Sequence, residues 1–432
     1  MKEKFIKSII ILLIGGFLTK ILGMIIKISM SRLMGLDGLS VYMLILPTFS
    51  LFIALAQFGF PTALSKLIAE DSKNNKRLFF SIVPISFLIN TILIIIIILV
   101  APYLSNNLLH DNRTLYGIYA IGLVIPFTTL SNICRSYFFG KQKMLPHVIS
   151  NIVEDITRLA LIIFFVPFFV NKGIKYAVCF AILINVISEL ASTIILMLFL
   201  PKNLKIRKSD LTPSKIYIKD SLEISIPTTT GRLIGSIGYF LEPIILTSTL
   251  IYAGYSNNFI ITEYGIISGY VFPLLLLPSF FTLAISQALL PTVTKLYYSN
   301  NTKAVKRKIK QALYFSLVIG IVVTIVLMIE PNYFLKLIYN TTKGSTYLQV
   351  LAPFFLLQYI QSPLAFSLDA IGRSKDNMKS TLYGTIIRCL SLFLLSLLRI
   401  GIWSLIISIC LSIIVTTLYS IHKVRVHLSN RV

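Results

Sequence analysis

Charged side chains are scarce in this chain. They make up 13% of its 432 residues, only 16 of them acidic, against 56% hydrophobic residues and a mean hydropathy of +0.84. No water-soluble protein of this length needs such a balance, whereas a polytopic membrane protein does. Cysteine is nearly missing as well. Cys134, Cys179, Cys389 and Cys410 stand singly within apolar runs with no C-x-x-C pair, so they read as small buried hydrophobes, neither disulfides nor metal ligands. The four histidines lack metal spacing, and no metal or cofactor is expected. A G-x-x-x-x-G-K-[ST] loop is absent, which argues against direct ATP drive. No small-residue cleavage site follows Met1-Lys2-Glu3-Lys4-Phe5-Ile6-Lys7 and the apolar run 9–14, so this start reads as an uncleaved first span, not a signal peptide.

What is abundant is apolar length. A bilayer core about 30 Å thick needs roughly 20 apolar residues per helix. Twelve runs meet that need: 6–31, 40–64, 78–101, 115–139, 147–170, 174–200, 222–251, 263–292, 310–330, 346–371, 378–398 and 401–421. The net charge of +24 would suggest nucleic acid in a soluble protein, but here the positive-inside rule accounts for it and no nucleic acid partner is expected. With the N-terminus in the cytoplasm, 27 of the 40 lysines and arginines fall in inner segments and 7 in outer loops, alternating at every loop. Both termini are then cytoplasmic. No outer loop exceeds about twenty residues, which leaves little room for a folded external domain, and catalysis is disfavoured.

The chain also repeats itself. Pro61-Thr62-Ala63-Leu64-Ser65-Lys66-Leu67 is echoed by Pro291-Thr292-Val293-Thr294-Lys295-Leu296. Seventy-nine residues after Pro61 comes Gly140-Lys141-Gln142-Lys143-Met144, and eighty-one after Pro291 comes Gly372-Arg373-Ser374-Lys375-Asp376-Asn377-Met378. Each series of matching words closes on a span arginine, Arg158 or Arg388. This spacing predicts a duplication: a six-helix bundle over 1–200, a basic cytoplasmic connector over 201–220, and a second bundle over 221–432. Six spans per half make the repeats parallel. The expected fold is all-α, two parallel six-helix bundles around a central cavity.

Six basic residues remain inside spans: Lys20, Lys27, Arg135, Arg158, Arg232 and Arg388. Each charge near mid-bilayer costs roughly 2.5–3.5 kcal/mol, so such residues face protein or a wet cavity. Gly16, Lys20, Gly23 and Lys27 lie at steps of 4, 3 and 4, hence on one helical face; Gly231, Gly235, Gly238 and Glu242 repeat those steps, with Arg232 beside them. Close packing through small-x-x-x-small contacts is one reading of these stripes. A cationic site is the other, since glycine alone does not explain the lysine, arginine and glutamate that accompany it. Glu154 and Arg158 stand at i, i+4, where an intrahelical ion pair competes with a ligand role. Arg135 lies near the inner end of its span and is able to snorkel. Arg388 has no acid four residues away and must find its counter-charge elsewhere. A cavity lined by Lys20, Lys27, Arg158 and Arg232 would suit phosphate or pyrophosphate and repel cationic drugs. Glu242, at the repeat position of Lys27, is expected to pair with a cation while that cavity is empty.

In these residues the chain resembles a known family. Thr19-Lys20-Ile21-Leu22-Gly23, Ser31-Arg32-Leu33-Met34-Gly35, Gly59-Phe60-Pro61-Thr62-Ala63-Leu64-Ser65-Lys66, Cys134-Arg135-Ser136-Tyr137-Phe138-Phe139-Gly140 and Tyr264-Gly265-Ile266-Ile267-Ser268-Gly269-Tyr270 carry the likeness. They are similar to the oligosaccharidyl-lipid flippases of the multidrug/oligosaccharidyl-lipid/polysaccharide exporter superfamily, especially the stage V sporulation protein B type. The resemblance implies a bacterial cell-membrane protein that moves a polyprenyl-pyrophosphate-linked saccharide between leaflets by alternating access, as a monomer among membrane lipids. Flippases of peptidoglycan precursor carry arginines in helices 2 and 8, whereas 44–58 and 270–290 here contain none. Two alternatives stand beside this reading. One is a cation-coupled multidrug antiporter of the same superfamily, which often places a carboxylate in the first helix where this chain has lysines. The other is a non-transporting scaffold for envelope assembly.

Overall fold

In the computed structural model of the chain, which describes residues 2–70, 75–200 and 212–429, the described residues are helices joined by short turns, with no strand among them. Ten of the helices are long and apolar enough to cross a membrane. Two features separate ten from the twelve expected spans. The first two spans form one 56-residue helix, α1 (Lys2–Gln57), interrupted at Gly35. There φ is +66°, a left-handed conformation that side chains with a Cβ resist. The expected fifth span is also a helix, but Glu154, Asp155 and Arg158 make it too charged to count as purely apolar.

The chain divides into two compact units, Met1–Phe240 and Leu241–Val432. In the first, α1 is followed by α2 (Phe60–Ala69), α3 (Asn75–Tyr103), α4 (Leu115–Gly140), α5 (Met144–Val170) and α6 (Ile174–Leu198). The first half of α7 (Lys215–Tyr252) completes it. α2 starts where Phe58 and Gly59 take positive φ and Pro61 occupies the first turn, a position that needs no N–H donor. Its buried face (Phe60, Leu64, Leu67, Ile68) packs on Leu78, Ile82 and Ile133, with Tyr217 and Leu222 of α7 against the same cluster. α5 packs on α1 and α6, and α4 packs on α6. Most of the expected connector, residues 201–211, lies outside the described residues.

The second unit holds the rest of α7, then α8 (Asn257–Ile266), α9 (Phe272–Leu275), α10 (Ser279–Tyr298), α11 (Thr302–Ile329), α12 (Pro331–Tyr339), α13 (Ser345–Ala370), α14 (Ser374–Leu397) and α15 (Trp403–Ser429). α13 is the hub, packing on α10, α11 and α15. The span expected as continuous over 263–292 is broken. A π-helical turn, Ile267–Val271, precedes Pro273, and Pro278 precedes α10. Proline removes a backbone donor and crowds the preceding turn, so the ladder cannot run through both positions. Ser279 N–H bonds to the Leu276 carbonyl, and the Leu275 carbonyl instead accepts from the hydroxyl of buried Tyr359 at 2.7 Å. That single hydroxyl satisfies a carbonyl that lipid could not.

Hydroxyls within the helices find the carbonyl one turn back. Ser86 donates to Ile82, Thr128 to Val124 and Ser367 to Pro363. Large apolar side chains face outward instead, with Phe164 76%, Leu198 75% and Leu99 73% exposed. Such a surface is unfavourable in water and is what a helix bundle presents to lipid.

Candidate functional site

The ion-paired residues within spans form two clusters, one in each unit. In the first unit, α4, α5 and α6 bring Arg135, Glu154, Asp155, Arg158 and Glu189 together. Glu154 and Arg158 lie one turn apart on α5 and pair directly, as i, i+4 spacing allows. The other oxygen of Glu154 receives Arg135 from α4. Arg135 also donates to Glu189 at 3.2 Å and to Ser192 at 2.7 Å, residues three apart on one face of α6. Arg158 reaches Asp155 at 3.1 Å. The set therefore contains three carboxylates and two guanidiniums, with side chains between 6% and 22% exposed. In an apolar surround such ions persist only by pairing.

The second unit is simpler. Arg388 on α14 pairs with Glu242 on α7, whose side chain is 1% exposed. No other ion pair to either residue occurs among the described residues. The counter-charge that Arg388 needed is thus the glutamate expected to hold a cation. In all three arginines, Arg135, Arg158 and Arg388, the Nε–H is buried with no hydrogen-bond partner among the described residues. Each keeps one donor unspent.

The remaining candidates sit apart from both clusters. Lys20 is exposed and Lys27 half-buried on α1, and neither meets a carboxylate among the described residues. Arg232 is exposed and donates to the Thr62 hydroxyl at 3.3 Å, which sets it at the start of α2. So the structure joins Arg135 to Arg158 through Glu154 and Glu242 to Arg388. Among the described residues it gives no hydrogen bond or ion pair linking Lys20, Lys27, Arg158 and Arg232 to one another. Of the two readings of Glu154 and Arg158, the structure shows the intrahelical ion pair, with Asp155 as a second acid for Arg158. The reason is local, because α5 places carboxylates three and four residues before it. Glu189 and Ser192 were not among the sequence candidates. The available signal was a carboxylate in the middle of an apolar run.

The glycine stripes resolve differently from a packing motif. A Cβ built on Gly16, Gly23, Gly231 or Gly235 would meet no heavy atom within 4 Å. Close helix approach is therefore not their role, and the faces that carry Lys20, Lys27 and Arg232 are open. A separate cavity of about 110 Å³ lies among Phe79, Phe80, Tyr137, Phe138, Leu196 and Met197; it is apolar and none of the candidate residues lines it.

The chain is 32% identical over 405 residues to stage V sporulation protein B of Bacillus subtilis (strain 168), covering 91% of this chain and 78% of that one. It is 24% identical over 426 residues to the lipid II flippase MurJ of the same organism, covering 90% and 76%. Among solved structures, an inward-facing multidrug resistance MATE family transporter of the MOP superfamily superposes with a TM-score of 0.80 at 17% identity, covering 96% of this chain and 95% of that one. At that identity the likeness shows the fold alone. A MatE family description matches residues 267–394. The description "Polysaccharide biosynthesis protein" matches residues 5–297, more than half of the chain, and with the 32%-identical relative it shows that the chain belongs to the polysaccharide biosynthesis protein family.

Proposed function

We propose that the protein is a membrane flippase that carries a polyprenyl-pyrophosphate-linked saccharide across a bacterial cell membrane by alternating access, with both termini in the cytoplasm. The observation that supports this most is the family match together with similarity to a lipid II flippase over 90% of this chain and 76% of that one. The residues support it chemically. Lys20, Lys27 and Arg232 lie on open faces without carboxylate partners among the described residues, which leaves three cations for phosphate oxygens. Arg135 and Arg158, already held by acids, have an added part: their unspent Nε–H donors are available only to a ligand that enters the cluster. Glu242 holds Arg388 until the anion arrives. Drive is assigned to the membrane potential, since a charge moved through 100 mV gains about 2.3 kcal/mol and an anionic headgroup moving outward is helped by an inside-negative cell.

In proteoliposomes containing undecaprenyl-pyrophosphate saccharide, wild-type protein is expected to expose the headgroup to an external glycan-specific enzyme. Lys27→Gln and Arg232→Gln are each expected to weaken binding of the pyrophosphate lipid about tenfold, the size of one lost charge-assisted hydrogen bond. Wild-type binding and flipping by both variants would remove these residues from the site. A second reading, cation-coupled drug export, draws on the MatE match at 267–394. It predicts uptake of cationic dyes by the same vesicles, against the lysines on α1.

A further inference from the structure

We propose that Glu263, Tyr347 and Trp403, at one end of the second unit, form a saccharide-binding site. The inference rests on the reading of the substrate as a lipid-linked sugar. Trp403 is the one tryptophan in 432 residues. It opens α15, Tyr347 stands in the first turn of α13, and Glu263 lies on α8. All three follow loops (252–262, 331–345 and 399–400) that the charge pattern assigns to the outer side, where a flipped headgroup would arrive.

The geometry is that of a sugar contact. Tyr347 donates its hydroxyl to Glu263 at 2.6 Å and meets the Trp403 ring edge-on, centroids 5.6 Å apart at 79°. The other oxygen of Glu263 accepts no hydrogen bond among the described residues. The indole remains 36% exposed. A sugar ring offers an apolar C–H face and a rim of hydroxyl donors. The exposed indole suits the first and the carboxylate the second. Phosphate would be repelled by Glu263, so the site takes the sugar and not the pyrophosphate.

The platform is rigid. The turn before Trp403 runs through Arg399 (φ +58°) and Gly401 (φ +63°). Tyr255 donates its hydroxyl to the Arg399 carbonyl, and its ring lies 3.3 Å from where a Cβ on Gly401 would stand. The positive φ favours glycine there, the Tyr255 ring leaves little room for a Cβ, and the turn so held positions the indole. A quaternary ammonium ligand would use the same residue types, but its recognition calls for several aromatic faces around the charge. Here Tyr347 presents its edge to the indole and spends its hydroxyl on the carboxylate.

The single tryptophan makes the test direct. Indole emission of the full-length protein in nanodiscs is titrated with chitobiose and maltose, with tetramethylammonium and sorbitol as controls. A saturable shift is expected with at least one of the two sugars, with the Kd about tenfold higher in Glu263→Gln and in Tyr347→Phe. Saturation-transfer NMR on Trp403→Phe should show the sugar signal reduced while the protein stays folded. A response that never saturates, or is equal in Glu263→Gln, overturns the proposal and leaves Trp403 an interfacial anchor. A saturable response to tetramethylammonium alone overturns it in favour of a cation site. Flipping by wild-type protein is measured separately. Flipping without sugar binding ends this inference alone, and sugar binding without flipping ends the transport reading alone.

Discussion

Arg158 in the first unit and Arg388 in the second are both neutralised within spans, yet in different ways. Arg158 draws on its own helix, with Glu154 and Asp155 one turn or less away, and Glu154 is shared with Arg135, itself tied to Glu189. Every ion in that cluster except Asp155 and Glu189 has at least two partners of opposite charge. Arg388 depends on one residue from another helix, Glu242, and Glu242 depends on Arg388. A shared network absorbs the loss of one member, whereas an isolated buried pair does not.

That contrast orders a set of substitutions. The largest effect is expected from Arg388→Gln, which leaves Glu242, 1% exposed, as an uncompensated charge. It should lower stability by about 3–5 kcal/mol, read as a lowered midpoint of denaturation in detergent. Glu154→Gln should cost less, about 1.5–3 kcal/mol, because Arg135 retains Glu189 at 3.2 Å and Arg158 retains Asp155 at 3.1 Å. If Glu154→Gln proves the more damaging of the two, the redundancy argument is wrong. Tyr359→Phe supplies a neutral yardstick in the second unit. Losing one hydroxyl to the Leu275 carbonyl should cost about 1 kcal/mol, with amide exchange rising around Leu275. The smallest change is expected from the double replacement Glu242→Met with Arg388→Met. Removing both charges strands neither, so stability should stay near wild type. Transport by that double variant then separates a structural pair from one the substrate must open: wild-type flipping would mean the pair only holds α7 to α14.

Much of this was legible from residues in order. The spans emerged because apolar length is a one-dimensional property, set against bilayer thickness with no knowledge of neighbours. The Glu154–Arg158 contact was equally legible, since i, i+4 spacing on a helix determines it locally. The break within 263–292 was only half visible. Pro273 and Pro278 are visible in the sequence, but a broken ladder depends on whether a partner such as Tyr359, some eighty residues on, satisfies the freed carbonyl. The glycine stripes left packing and an open cationic face as alternatives for the same reason. Spacing shows that Gly16, Gly23, Gly231 and Gly235 share faces, while only neighbouring atoms decide whether those faces are filled.

The sequence by itself determined an all-helical membrane protein, the approximate ends of its spans, and which charges were anomalous. Each follows from hydrophobic transfer and helical geometry within a single segment. Tertiary structure alone decided that Arg135 belongs with Glu189 and Ser192, that Glu242 is the partner of Arg388, and that Trp403 meets Tyr347 beside Glu263. Those contacts join residues that lie tens to more than a hundred positions apart. An ion in a low-dielectric interior takes whichever opposite charge helix packing brings within reach, and that choice is not encoded in the spacing along any one helix.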